Sequence, residues 1–581
     1  MKLIEGFQLL AMAPDGVARL RELILSLAVQ GRLITQNPDD ESATSLLRQI
    51  RAQKDRLIGE GKIRRDKPLP EIADEEKPFE LPAGWDWARM QQIADARLGK
   101  MLDKAKNSGK PYPYLRNTNV QWHRFDLEDI KVINLEAHEL DEYRLRSGDL
   151  LICEGGEPGR CAIWREQLRE MYFQKALHRV RLLGGILPEY VAMCLEIDAK
   201  SLRLQKYFTG ATIKHFAGQE LSRYCVPLPP LAEQSRIVAK VAELMHLCDK
   251  LETHGRLEAE QHARLTTTLF DALSESESSH ALVENWARIA THFDLLLDRP
   301  EAVDALEQTI LQLAVRGRLI KQEPGDEPAG ELLKKIRSAK DRLIAMGEIK
   351  RGKPLPSIEI DEQRYTLPPG WEWVRLGTLC SVLTDGEHLT PERTNDQSQV
   401  RLVTAKNVRD GFIDYRVTDF VPRSVAEKCW ARCRPQAQDV LMVSVGATTG
   451  RVSVLQDEHE MVLVRSVTLL RPVTAGLNPR YLELHLRSPD SQDEIWSSVK
   501  QNAQPCLYLA KSACLQVALP PLAEQARIVA RVEELRRVCA DLRARLIASQ
   551  NCKAHFAEAL VERSASTAPL IAPTDRLAAA A

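Results

Sequence analysis

One heptapeptide, Leu228-Pro-Pro-Leu-Ala-Glu-Gln234, recurs in the chain as Leu519-Pro-Pro-Leu-Ala-Glu-Gln525. Each copy runs into a second shared string, Arg236-Ile-Val-Ala-Lys-Val241 and Arg527-Ile-Val-Ala-Arg-Val532. Proline is excluded from a helix interior but suits the first turn, whose N–H groups have no intrahelical partner. Both copies therefore read as helix starts. Beyond them apolar residues step by 4 and 3: Ile237, Val241, Leu244, Cys248 and Leu251 in the first helix, and Ile528, Val532, Leu535, Cys539, Leu542 and Leu546 in the second. That spacing makes a narrow a/d seam. Either the two helices seam against each other, or each packs on its own domain.

The duplication extends upstream. Leu27-Ala-Val-Gln-Gly-Arg-Leu-Ile34 returns as Leu313-Ala-Val-Arg-Gly-Arg-Leu-Ile320, and Leu81-Pro-Ala-Gly-Trp-Asp-Trp87 as Leu367-Pro-Pro-Gly-Trp-Glu-Trp373, both 286 residues on. Of the 61 residues from Leu27 to Trp87, 35 are identical in the second copy. At the proline-rich heptapeptide the offset is 291, and between the two blocks the match becomes sparse. A repeat on this scale dictates the plan of the fold. The 581-residue chain divides into a helical arm and connector (1–87), a variable domain (88–227), a long helix (228–273), a Ser/Glu-rich solvated linker (274–285), a second arm and connector (286–373), a second variable domain (374–518), a second long helix (519–562) and a disordered tail (563–581). Asp40 or Ser42 caps the arm's second helix, and Gly61, matched by Gly347, ends it.

The variable stretches carry short apolar, β-branched runs that enter glycine-rich turns. Examples are Asp149-Leu-Leu-Ile-Cys153 before Glu154-Gly-Gly-Glu-Pro-Gly-Arg160, and Asp439-Val-Leu-Met-Val-Ser-Val445 before Gly446-Ala-Thr-Thr-Gly-Arg451. They read as strands and hairpin turns, which makes the fold class mixed α/β with an internal two-fold repeat. Net charge is −1, so any nucleic-acid surface is local rather than global. The twelve cysteines form no CxxC framework and read as reduced thiols; Cys429 and Cys433 lack the partners of a zinc site. No secretory signal and no run of about 18 apolar residues is seen, which points to the cytoplasm. The Gly446–Arg451 turn lacks the spacing and lysine of a phosphate loop, and no HExxH, GxSxG or GxGxxG signature occurs. Nothing matches the Asn- or Asp-Pro-Pro-aromatic motif of amino-methyltransferases. A duplicated scaffold with divergent inserts and no catalytic signature points to a protein that binds two different things.

The paired heptapeptide helices, the Leu-Ala-Val-x-Gly-Arg-Leu arms and the Leu-Pro-x-Gly-Trp-x-Trp strings resemble the specificity (S) subunit of Type I restriction–modification systems. The resemblance spans about residues 15–560, and the arms are similar to the branch whose repeat extends ahead of each domain. It implies that 88–227 and 374–518 are target recognition domains, each reading one half of a bipartite, asymmetric DNA site. It implies that the long helices pair as an antiparallel coiled coil with Ile237, Val241, Leu244, Leu251, Ile528, Val532, Leu535 and Leu542 at the interface. Half-sites would then lie about one helical turn apart, about 34 Å. This chain would hold no metal, cofactor or catalytic residue. Two modification subunits would dock on the helices and use S-adenosylmethionine to methylate a flipped-out adenine, and restriction subunits would supply an ATP- and Mg2+-dependent translocase and endonuclease. Two other classes stay open on the residues alone: an enzyme with degraded methyltransferase or nuclease motifs, and a coiled-coil assembly protein with no DNA role.

Candidate DNA contacts cluster in loops. Lys100, Lys104 and Lys106 lie in a basic, glycine-flanked stretch suited to phosphates, or to plain solvent. Tyr114-Leu-Arg-Asn-Thr-Asn-Val120 and Leu402-Val-Thr-Ala-Lys-Asn-Val408 look equivalent. They offer Arg116, Asn117, Asn119, Lys406, Asn407 and nearby Arg409, residue types suited to guanine, adenine and phosphate; turn capping competes for Asn119 and Asn407. The glycine turns end in Arg160 and Arg451, and two later loops carry Thr212, Lys214, Gln501 and Gln504. Core-turn geometry explains those glycines equally well. The connectors Lys62–Lys67 and Lys350–Lys353 are basic and read as solvated runs, partner contacts or phosphate contacts.

Overall fold

The computed structural model describes residues 13, 15–102, 108–165, 170–456, 458–500 and 504–566, the side chains of 560–566 excepted. It divides into two compact units, Met1–Glu258 with Ser549–Ala581, and Ala259–Ala548.

In the first unit the arm consists of two helices, Gly16–Val29 and Ala43–Gly59. Ser42 caps the second by accepting from the Ser45 N–H, and Asp40 is used elsewhere. Gly61 ends that helix at φ +70°, as Gly347 does in the second unit at +77°. The chain then forms strand Asp86–Arg89, which pairs antiparallel with Cys225–Leu228, Asp86 opposite Leu228. These two strands form a neck. Everything from residue 90 to 224 is closed off between the Gly-Trp-x-Trp string and the heptapeptide helix. Inside the neck a four-stranded antiparallel sheet runs in the order Ala94–Leu98, Leu177–Leu182, Leu150–Cys153, Cys161–Ile163. A second sheet sets Lys110–Leu115 antiparallel to Lys131–Leu135 and parallel to Tyr172–Phe173. Helix Pro188–Lys200 covers the first sheet and is buried along Tyr190–Leu195.

The second unit repeats this plan strand for strand, although the sequences have diverged. Its neck pairs Glu372–Arg375 with Gln516–Leu519. Its sheets follow the orders Cys380–Asp385, Val467–Pro472, Val440–Val443, Val452–Val454 and Asp419–Val421, Val400–Val403, Met461–Leu463, again with one parallel pair. The turn Gly446–Arg451 joins two antiparallel strands and is a hairpin.

The repeated strings meet in space. The Glu233 carboxylate, 1% exposed, accepts from Trp85 Nε1 at 2.9 Å and Gln36 Nε2 at 3.2 Å. Glu524 accepts from Trp371 and Gln322 at 3.0 and 3.2 Å. Burial raises the pKa of both carboxyls. Gln234 donates to the Pro229 carbonyl and accepts from the Leu187 N–H, tying the helix start to the domain beyond the neck. Asp40 pairs with Arg236 and Asp326 with Arg527, each at 2.5 Å. Most of the identical residues of the two heptapeptides are thus spent on locking arm, neck and helix together.

The long helices are Leu231–Ser274 and Leu522–Ser566. Ile237, Val241 and Cys248 lie in the apolar core of the first unit, with Leu244 and Leu251 packed on it. Ile528, Val532 and Cys539 lie in the core of the second, with Leu535 and Leu542 packed on it. The first turns of each seam therefore pack on their own unit. Phe270 and Leu273, from the end of the first long helix, share the second unit's core with Ile528 and Val532. The division places 549–566 with the first unit and 259–274 with the second. Each long helix ends in the unit where the other begins.

One segment differs from its sequence reading. Residues 274–285 are mostly exposed, but they are not an unstructured linker throughout. Ser274 and Ser276 are buried, Arg316 donates to the Ser274 carbonyl at 3.0 Å and Arg318 to that of Ser276. Ser278 caps a further helix, Ser279–Thr291. Of the proposed tail, 563–566 continue the helix, and 567–581 lie outside the described residues.

Candidate nucleic-acid interface

Three loops of the first variable domain come together. Asn117 Nδ2 donates to the Gly155 carbonyl at 3.0 Å, and Arg160 donates to the Asn117 carbonyl at 3.1 Å. The turn 154–160 is joined in turn to the loop Thr209–His215: Gly155 bridges His215, and the Phe216 N–H donates to the Glu154 carbonyl at 2.7 Å. Thr209 and His215 close that loop through reciprocal backbone bonds of 2.9 Å. Gly210, at φ +93° and with the Ile213 carbonyl 2.1 Å from where a Cβ would sit, permits the closure. Thr212 and Lys214 are exposed at its tip, and Ile213 is 65% exposed.

The second domain joins two of the corresponding loops, 444–451 and 505–507. Val445 bridges Cys506, and the Gly446 N–H donates to the Pro505 carbonyl at 2.9 Å. The Leu507 N–H donates to the Ser444 carbonyl at 2.8 Å. Lys406 and Gln504 are exposed. Lys406 reaches Asp419 at 3.1 Å. Arg409 and Arg451 are half-buried, Arg409 near the Asp414 carboxylate, whose pKa is pushed down to about 2, chiefly by its hydrogen bonds with Arg416.

Several expected contacts are corrected. Asn119 is buried: its Nδ2 donates to the carbonyls of Asp126 and Asp129 at 2.9 and 3.1 Å, and its Oδ1 accepts from the Arg116 N–H. Asn407 is fully buried and bonded likewise to the Asp414 carbonyl and the Thr404 N–H. Both asparagines clip a turn and have no edge left for a base. Lys100 is ion-paired with Glu139 and lies 6.0 Å from the Tyr143 ring centre, so it is no open phosphate contact. The Arg116 guanidinium donates to Asp129 at 2.7 Å, and Arg160 to Glu157 at 2.6 Å; both arginines brace loops. The Lys131 and Arg116 cations hold Asp129 below the usual carboxylate range. Lys104, Lys106 and Gln501 lie outside the described residues. The loops also carry two exposed cations that the sequence reading missed, Lys175 and Arg465. They hold equal positions in the tight turns before Leu177–Leu182 and Val467–Pro472, and Arg465 lines a recess of about 410 Å³ with Ser444, Cys506 and Tyr508. The equal placement of a short Gln-Lys-Ala and Val-Arg-Ser turn between two apolar runs was the signal available.

The family model for the Type I restriction modification DNA specificity domain matches residues 82–261, a span that encloses the first neck. The Type I restriction enzyme EcoEI specificity subunit of Escherichia coli is 32% identical over 569 residues, covering 94% of this chain and 93% of the relative. This chain belongs to the Type I restriction enzyme specificity subunits. The EcoAI specificity subunit of Escherichia coli is likewise 32% identical, over 94% of this chain and 93% of its own length. A solved chain from a study of complex assembly and conformational transition of the type I R-M system aligns at 19% identity with a TM-score of 0.49, over 84% of this chain and 99% of that one. No helix among the described residues is long and apolar enough to cross a membrane.

Proposed function

We propose that this specificity subunit reads a bipartite, asymmetric DNA site, one half per recognition domain, and carries no catalytic step itself. The observation that carries the reading is the duplicated neck. Two domains of one topology stand on identical joints, yet present different residues on equivalent loops. Thr212 in the first domain and Gln504 in the second are the base contacts of choice, with Lys214, Lys406, Lys175 and Arg465 as phosphate partners. In this reading the long helices set the unread gap and seat two modification subunits. Those subunits bind S-adenosylmethionine, and restriction subunits bind ATP with Mg2+, so the whole complex works in the cytoplasm. The test is long-read methylation mapping of cells carrying this chain with its modification subunit, against cells from which this chain is deleted. Loss of one split adenine motif on deletion is the expected result. Unchanged methylation from an active modification subunit would refute the reading.

A further inference from the structure

The joint of arm, neck and long helix is built twice from the same residues. Gly31 and Gly317 sit against Pro82 and Pro368, Glu233 and Glu524 hold Trp85 and Trp371, and Asp40 and Asp326 pair with Arg236 and Arg527. Nothing in these contacts distinguishes the first arm from the second. A neighbouring contact does. On the first arm helix Arg21 pairs with Asp249 and Glu252 of the first long helix, at 2.6 and 2.8 Å. In the second copy the polarity is reversed. Asp304 and Glu307 stand on the arm helix and Arg543 on the long helix, at 2.5 and 3.1 Å. The exchange is position for position: Ala18 and Arg21 correspond to Asp304 and Glu307 at the offset of 286, and Asp249 and Glu252 to Ala540 and Arg543 at the offset of 291.

We infer that this charge reversal is a matching device that holds the first arm on the first long helix and the second arm on the second, and blocks exchange of one kind of arm for the other, within one chain or between two copies of it. An exchanged joint satisfies every identical contact but sets Arg21 against Arg543, and Asp304 and Glu307 against Asp249 and Glu252. Identical elements in one chain invite swapping and misassembly. Repulsion placed on the wrong pairing is a general means of excluding it. The pairs are partly exposed, Arg21 at 28% and Arg543 at 27%, so salt weakens the discrimination.

The test erases the reversal while keeping every native pair. The full-length variant D304A/E307R/A540D/R543E gives the second half the first half's charges, and A18D/R21E/D249A/E252R gives the first half those of the second. Each is unfolded in urea, refolded over a range of chain concentrations in low salt, and resolved by size-exclusion chromatography with light scattering. Both variants should yield several-fold more discrete dimer than the wild type. The wild type should approach them when refolded in about 1 M salt, where screening acts within a few ångströms. Refolding of both variants to the wild-type monomer fraction would overturn the inference, as would salt-independent wild-type refolding or a gain confined to amorphous aggregate. If one variant fails to fold, its reciprocal carries the same test.

Discussion

At the residue scale, the two halves solve one packing problem with different chemistry. His485 is fully enclosed on helix Pro479–Arg487. Its Nε2 accepts from the Ala518 N–H at 3.0 Å, and its Nδ1 meets Ser491 Oγ at 2.9 Å. The equivalent residues of the first half are Cys194 and Pro227. Proline brings no N–H to the strand, so no acceptor is needed there. His485→Cys alone should strand a buried donor and cost about 1–3 kcal/mol, and adding Ala518→Pro should recover much of that, read as coupling in a double-mutant cycle of urea unfolding. Burial holds the His485 pKa down to about 4 from 6.5. The unfolded chain therefore binds a proton here before the folded one does. Stability is unaffected above pH 6.5, falls as pH drops toward about 4, and levels off below, by roughly 3 kcal/mol in all. The double variant should lose that component between pH 7 and 5; an unchanged pH slope would contradict it. On the exposed loops, Lys214→Ala should weaken DNA binding about equally on all sequences and lower the salt slope by about 1. A loss confined to one half-site would make Lys214 a base contact instead.

At the scale of elements, the neck and arm explain why some of the fold was legible in the sequence. Helix starts, the terminal glycines and the domain order follow from residues whose partners lie within the repeated strings, so local signals and the repeat agree. Gly31 makes the point: it sits at φ +66° with Pro82 Cγ 2.5 Å and Trp85 Cζ2 2.9 Å from where a Cβ would lie. Gly31→Ala should destabilise the first unit by about 1–3 kcal/mol or more through strain and overpacking. Thermal unfolding would show it, and an unchanged midpoint would argue that the arm docks otherwise. The parallel pairing of Tyr114 with Tyr172 was not legible, because a two-residue strand has no period and its partner is remote. Ser274 and Ser276 were not legible from composition, since their carbonyls are held by Arg316 and Arg318, just past the end of helix Pro300–Val315. The loop residues were half legible. Asn119 and Asn407 have the side chain of a base reader, and only the distant carbonyls of Asp126 and Asp414 reveal them as turn clips.

At the scale of the molecule, necks of one register under different loops make specificity portable in the proposed reading. Asp86 faces Leu228 and Glu372 faces Leu519 in the same register, so a recognition domain cut at these positions meets the same backbone geometry in either half. Each long helix begins in one unit and ends in the other. In the proposed reading, placing residues 86–228 in the position of 372–519 should convert an asymmetric target into one whose two halves carry the same half-site sequence, with the gap set by the long helices unchanged. The charge-reversed arm contacts lie outside the grafted segment and stay native. Long-read methylation mapping with the same modification subunit reads the outcome directly. A motif that keeps its original second half would show that the second domain is not its reader, and a changed gap would show that the domains, rather than the helices, set the spacing.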